Sequence, residues 1–221
     1  MSPIVPAIIP TSLNNLRETL GMVAPFTREV QVDIVDGQFV PFTSWPYTEE
    51  ASINDLSEFT NEFLIEVDLM QSRPEEVVME YVKAGVRRIV IHLESTTHLD
   101  DILTLRKEHD IKIGFSINND TPLDVLTSVI RDADYVQLMG IAHIGSQGQL
   151  FDERVLERIL TLRKEYHGLL ISIDGSVNAE TVSRLAHAGA DRCVSGSAIL
   201  KQENPKEAFE NLTSLYTIGT Q

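Results

Sequence analysis

The sequence predicts an α/β fold of the (β/α)8 TIM barrel class, on three observations. Eight short β-branched runs alternate with longer amphipathic segments along 221 residues, enough chain for one sizeable core. Glycine-rich segments follow the last three of those runs. Two aspartates end apolar runs far apart in the chain, Asp33 in VQVDIVDG and Asp174 in LLISIDGS. A buried acid needs a partner or a task, and the C-terminal strand ends of a parallel barrel are where such folds do chemistry.

The first strand is expected at residues 4–9 (IVPAII), followed by an amphipathic helix at 13–20. The second strand, 29–35, alternates as a pleated strand does, and the weakest helical pattern follows within 48–59. The third strand, 63–69, leads to a helix at 74–84, where Pro74 stands in a first-turn position that tolerates it. Strand 88–93 and helix 100–108 make the fourth unit, strand 111–115 and helix 122–130 the fifth, and strand 135–139 and helix 152–166 the sixth. Strand 169–173 precedes helix 179–188, and strand 192–195 precedes helix 206–216. Gly85 and Gly189 sit at helix-to-strand joints, where glycine ends a helix in the left-handed conformation. No linker, low-complexity tract or charge block interrupts the pattern, so residues 1–221 read as a single domain. An open, doubly wound sheet is the alternative.

The 18 basic and 33 acidic residues give a formal net charge of −15. That argues against nucleic acid and anionic membrane surfaces as partners. A phosphate ligand stays compatible, because a nest of backbone N–H groups acts locally. Cys193, the only cysteine, lies in the apolar stretch DRCVSG and reads as a buried structural thiol in a reducing cytoplasm. The opening MSPIVPAIIP lacks a basic region and does not read as a signal peptide. No apolar run approaches the about 20 residues of a membrane span.

Alternation along the second strand puts Gln31, Asp33 and Val35 on one face. By the same rule Glu66, Asp68 and Met70 share a face of the third strand, and His92 and Glu94 go together at the end of the fourth. The expected cavity therefore holds Gln31, Asp33, Asp68, Met139 and Asp174, with Glu66, His92 and Glu94 as further cavity residues. So many acids repel one another unless a cation, protonation or water relieves them. Oxygen donors suit Mg2+ or Mn2+, and the ligand candidates are Gln31, Asp33, Asp68 and Asp174. The plainer reading makes Asp68 a cap for the next turn and His92 a hydrogen-bonded core residue. The glycine-rich segments 139–149, 174–178 and 196–199 carry no lysine or arginine. Backbone amides and hydroxyls at Gly145, Gly148, Gly175, Ser176, Gly196 and Ser197 would have to hold a phosphorylated substrate. Residues 38–47, rich in aromatics, are expected to cover the barrel mouth or to form a dimer contact.

Taken together, these motifs resemble the ribulose-phosphate 3-epimerase family across essentially the whole chain. The matching stretches are IIPTSL, VDIVDGQFVP, VDLM, VIHLE, TPLDVL, MGIAHIGSQGQLF, IDGSVNAET and GSAI. The pattern Asp-x-x-Asp-Gly-x-Phe-Val-Pro is quite specific to that family, whereas Asp-Gly-x-x-Asn followed by Gly-Ser-Ala-Ile recurs in related phosphate-binding barrels. The resemblance implies a ribulose-phosphate-binding barrel that interconverts ribulose 5-phosphate and xylulose 5-phosphate in the cytoplasm, as a homo-oligomer of the pentose phosphate pathway. It implies Asp33 and Asp174 as the catalytic acids and Thr11 near a pocket serine. It also implies Met139 as a pocket methionine, with Val35 in place of another, and Gly175, Ser176, Gly196 and Ser197 as the phosphate grip.

Two departures stand out. The family holds a divalent metal through two histidines and two aspartates, and the histidine positions are Gln31 and Asp68 here. The usual Asn-Pro-Gly-Phe-Gly-Gly loop reads Ala142-His-Ile-Gly-Ser-Gln-Gly148. Carboxylate in place of imidazole moves the preference toward harder ions, Mg2+ or Mn2+, with Zn2+ as the alternative. Loss of tight metal and a changed activity are the other consequence.

The expected reaction is epimerisation at carbon 3 of a ketopentose phosphate. One carboxylate removes the proton beside the carbonyl, and the other returns a proton to the opposite face of the enediolate. The rivals are an altered sugar-phosphate isomerase, epimerase or lyase, and a non-catalytic phosphosugar-binding protein without the metal site. Lyases of the decarboxylase group use Asp-x-Lys-x-x-Asp, and Asp33-Ile-Val-Asp36 has no lysine.

Overall fold

The computed structural model describes residues 2–145 and 148–221. Eight strands close into one parallel barrel in chain order: β1 (Ile4–Ile8), β2 (Glu29–Val35), β3 (Leu64–Met70), β4 (Arg88–His92), β5 (Lys112–Ile117), β6 (Tyr135–Met139), β7 (Ile171–Asp174) and β8 (Arg192–Ser195). The helices α1 (Leu13–Val23), α2 (Val78–Lys83), α3 (Leu99–Glu108), α4 (Arg154–Glu165), α5 (Val182–Ala188), α6 (Ser197–Leu200) and α7 (Pro205–Gly219) lie between and after the strands. This is the TIM barrel that the alternating pattern predicts, and a closed sheet excludes the open alternative. Among the described residues no helix is long and apolar enough to cross a membrane.

Local chemistry explains the helices. Ser12 caps α1 by accepting from the Asn15 N–H at 3.0 Å, and Leu16, Leu20 and Val23 form its buried stripe. Val155, Ile159 and Leu162 do the same in α4. Asn204 caps α7, and Pro205 fills its first turn.

Two expected helices are tighter 3-10 turns, Ile53–Glu58 and Leu123–Ser128. Their apolar residues recur every third position, at Ile53, Leu56 and Phe59 and at Leu123, Leu126 and Val129. That spacing aligns one face of a three-residue turn and not of an α-helix. The helix expected at 74–84 divides into a 3-10 turn at Pro74–Glu76 and α2. The short helix α6 falls in a segment expected to be loop.

Outward-facing strand residues such as Val30, Val32 and Ile34 pack beneath the helices in the main apolar core. The barrel interior is polar instead. Near its N-terminal end Arg192 Nη1 donates to both oxygens of Glu66, at 2.7 and 2.8 Å, and the Tyr135 hydroxyl donates to Glu66 at 2.7 Å. Gly114 lets the Tyr135 ring cross the interior: a Cβ there would lie 2.2 Å from a ring carbon. Above this ionic layer the register aligns Asp33 with Asp68 on β2 and β3, and Met139 with Asp174 on β6 and β7.

Candidate active site

Strand alternation delivers three carboxylates to one point inside the barrel. One oxygen each from Asp33, Asp68 and Asp174 lie within 4.8 Å of one another, and all three residues are buried. Two amides and an imidazole hold them. Gln31 Nε2 donates to Asp33 Oδ1 at 2.9 Å and to Asp174 Oδ2 at 3.3 Å. Gln137 Nε2 donates to Asp68 Oδ2 at 2.8 Å, and His92 Nε2 lies 3.0 Å from Asp68 Oδ1. The Gln31 Oε1 is buried without a hydrogen-bond partner among the described residues.

Above the acids opens a cavity of about 280 Å³ at the C-terminal strand ends. Asp33 and Asp174 form its polar floor, and Ala7, Ile9, Met70, Met139, Ile141 and Val194 form its apolar wall. Gly175, Ser176, Gly196 and Ser197 line the far end, after β7 and β8. Gly140 permits the close approach of two loops here, because a Cβ on it would lie 2.1 Å from the Gly175 carbonyl oxygen. No lysine or arginine lines the cavity among the described residues.

Burial, then the charges of Asp174 and Asp68, raise the Asp33 pKa well above the ordinary carboxylate range, and the Gln31 hydrogen bond offsets this only in part. Burial and the charge of Asp68 push Asp174 up to about 7, against the lowering hydrogen bonds from the Gly175 backbone and Gln31. Burial alone would lower His92, but the Asp68 carboxylate outweighs it and the net shift is upward. Cys193 is fully buried, and burial pushes its thiol up to about 12, so it is no thiolate nucleophile.

The donor set fits a cation with oxygen ligands. Three carboxylates crowd together without a fixed positive side chain among the residues lining the cavity, and an amide oxygen is left orphaned beside them.

The structure brings together Asp33, Asp68, Asp174 and Gln31. It also places Met139, Gly145, Gly148, Gly175, Ser176, Gly196 and Ser197 on one cavity. Segment 139–149 includes residues 146–147, which lie outside the described residues.

Four expected pocket residues do not line the cavity. Glu66 points inward as alternation requires, but one layer lower, where Arg192 and Tyr135 consume its charge. Glu94 is exposed, and its carboxylate accepts from the Asn118 N–H at 2.8 Å, bracing the β5 loop. Thr11 is exposed beyond the end of β1, its carbonyl accepting from the Thr48 hydroxyl at 2.8 Å. The β1 residues at the cavity are Ala7 and, just past the strand, Ile9. Alternation would have found Ala7. His92 sits inside the barrel beside Asp68 and does not line the cavity. Gln137 went unnoticed, although it shares a strand face with Met139.

The segment 38–47 does pack over this end of the barrel. Phe39 lies against His92, with ring centroids 5.6 Å apart, and Phe39 and Val40 join Met70, Met139 and Ile144 in one apolar cluster. Trp45 is wholly buried, whereas Phe42 and Tyr47 remain exposed.

Comparison with known proteins gives the family and agrees with the fold. The model of the "Ribulose-phosphate 3 epimerase family" matches residues 3–200. The chain is 34% identical to the ribulose-phosphate 3-epimerase of Bacillus subtilis over 191 residues, covering 83% of this chain and 84% of that one. It is 32% identical to that of Serratia marcescens over 205 residues, covering 90% and 95%. It is 28% identical to that of Schizosaccharomyces pombe over 211 residues, covering 95% and 91%. Among solved structures, 3-hexulose-6-phosphate synthase from Salmonella typhimurium superposes with a TM-score of 0.70 at 14% identity, covering 97% of this chain and 98% of that one. Orotidine 5'-phosphate decarboxylase from Pyrococcus horikoshii does so with a TM-score of 0.69 at 17% identity, covering 97% and 99%. At such identities these two speak for the fold alone. The chain belongs to the ribulose-phosphate 3-epimerase family, a family of isomerases built on the (β/α)8 barrel.

Proposed function

We propose that the protein is an epimerase acting at carbon 3 of a ketopentose phosphate, interconverting ribulose 5-phosphate and xylulose 5-phosphate. The observation that carries this reading is the pairing of Asp33 and Asp174. They come from β2 and β7, lie on the floor of one cavity, and are joined by a single amide group.

With the sugar above that floor, one carboxylate takes the proton from carbon 3 and the other delivers a proton to the opposite face. Such a pair works only if its members differ in protonation at a given moment. Crowding of three buried acids favours that inequality, because one retained proton relieves the repulsion. The substrate phosphate lies at Gly175, Ser176, Gly196 and Ser197, held by backbone N–H groups and hydroxyls. Its binding energy orients carbon 3 between the acids. The apolar wall, Met139 and Met70 included, keeps water from the intermediate.

Asp33, Asp68 and Asp174, with the Gln31 carbonyl, would hold a divalent cation, Mg2+ or Mn2+ by the oxygen character of the set. When bound it supplies positive charge beside the developing enediolate oxygen. Carboxylates buried together without a fixed counter-charge cost stability, which weighs against a purely binding protein.

The test is direct. The purified chain with Mn2+ is incubated with ribulose 5-phosphate and followed by proton NMR. Accumulation of xylulose 5-phosphate supports the reading. Turnover of another ketose phosphate, with none of this one, sinks the substrate assignment.

A further inference from the structure

We propose that Gln137 and His92 are positioning residues that together fix Asp68 as an oxygen ligand for the cation. The inference rests on the cation-assisted reading above and deepens it. It assigns work to two side chains that touch neither the cavity nor the acid–base pair.

Asp68 is gripped on both oxygens, from two directions. Gln137 reaches it from β6 across the barrel, Nε2 to Oδ2 at 2.8 Å, and His92 reaches it from the neighbouring β4, Nε2 to Oδ1 at 3.0 Å. Each of the three residues is 0% exposed. Gln137 Oε1 and His92 Nδ1 have no hydrogen-bond partner. Among the described residues, the only side-chain hydrogen bond of either residue therefore goes to Asp68. A half-satisfied buried amide is unfavourable where a leucine or methionine would pack as well. Two such residues converging on one carboxylate point to a demand made by that carboxylate.

The demand is mechanical. Asp33 and Asp174 repel Asp68 while the three oxygens stay within 4.8 Å. An unrestrained carboxylate would swing away. The clamp takes one contact on each oxygen and leaves each with further acceptor capacity for a cation. Phe39 steadies the arrangement by packing on the His92 ring. Phe39 itself is anchored by its N–H donating to Asp36 Oδ1 at 3.0 Å. Groups that orient a metal ligand from behind commonly change metal affinity by about 10–100-fold when removed. A carboxylate kept in the ligand set, rather than swung away, also raises the affinity for Mn2+ relative to Zn2+.

The experiment measures Mn2+ dissociation constants by electron paramagnetic resonance on the stripped full-length protein, with Zn2+ competition for selectivity. The variants are Gln137→Met, which keeps bulk without the amide, His92→Phe, which keeps a ring without the donor, and His92→Gln, which restores one. Expected are a loss of Mn2+ affinity of about 10-fold or more in Gln137→Met and His92→Phe, a lower Mn2+ to Zn2+ preference, and recovery to near the native value in His92→Gln. Should Gln137→Met not fold, the His92 pair decides alone. Native Mn2+ binding with unchanged affinity and selectivity in the variants overturns the clamp and leaves the cation reading standing. No Mn2+ binding by the native protein overturns both.

Discussion

Gln31 reaches across the barrel to Asp174, its Nε2 3.3 Å from Oδ2, while the same nitrogen stands 2.9 Å from Asp33 Oδ1. One uncharged amide thus bridges two crowded acids from strands separated by β1 and β8.

Removing that bridge should expose the repulsion. Gln31→Leu leaves two buried carboxylates short of a donor and is expected to lose about 1–3 kcal/mol at neutral pH. Urea unfolding of the metal-free protein measures it. Equal stability of variant and native chains would show that the bridge contributes nothing.

The raised carboxylates have a signed consequence for pH. The Asp174 pKa is about 7 in the fold, raised by burial and by Asp68, against an ordinary 3.8. Between those values the folded chain keeps a proton that the unfolded chain has released. The contribution is therefore complete below the lower value and is lost as pH rises through the higher one. The thermal midpoint of chelator-treated protein should fall from about pH 5 to about pH 8, and Asp174→Asn should flatten that fall. Mn2+ uptake should release protons over the same range, which calorimetry in buffers of different ionisation enthalpy reads directly.

Glu66 tests the layer assignment. Arg192→Met strands a buried carboxylate and should cost about 3–5 kcal/mol, while adding Glu66→Leu should recover most of it. Chemical denaturation of the single and double variants checks this. A double variant no more stable than the single one would mean that Glu66 does something other than pair with Arg192.

The wall of the cavity can be probed on β1. Ala7→Leu thrusts a larger side chain into the substrate space and should lower kcat/KM by about 10²-fold. Thr11→Val, outside the cavity, should leave it nearly unchanged. Steady-state kinetics with the ketopentose phosphate separate the two, and the opposite ranking would restore Thr11 to the pocket.

These residues also show what could be read from the sequence and what could not. The barrel was legible because the 2-residue and helical periods alternate along the chain. The two 3-10 turns are hard to tell from α-helices in the sequence, because an apolar spacing of three is close to the helical period. Strand alternation names the face a residue occupies, so Gln31, Asp33 and Asp68 came out together. It does not give depth, so Glu66, two residues below Asp68, was drawn into the same cavity. Glu94 escaped because the strand ends at His92 and alternation lapses beyond it. Alternation places Gln137 on the inner face with Met139, but its contact with Asp68 runs across the barrel from β6 to β3, which no local pattern carries.

Proton exchange at the substrate tests the central pairing most directly. Ribulose 5-phosphate is incubated in D2O with the native chain, Asp33→Asn and Asp174→Asn, each confirmed folded by circular dichroism. Deuterium at carbon 3 is then followed by NMR. The two-acid account predicts exchange with epimerisation in the native protein and no epimerisation in either variant. Normal epimerisation after the loss of either carboxylate would contradict it.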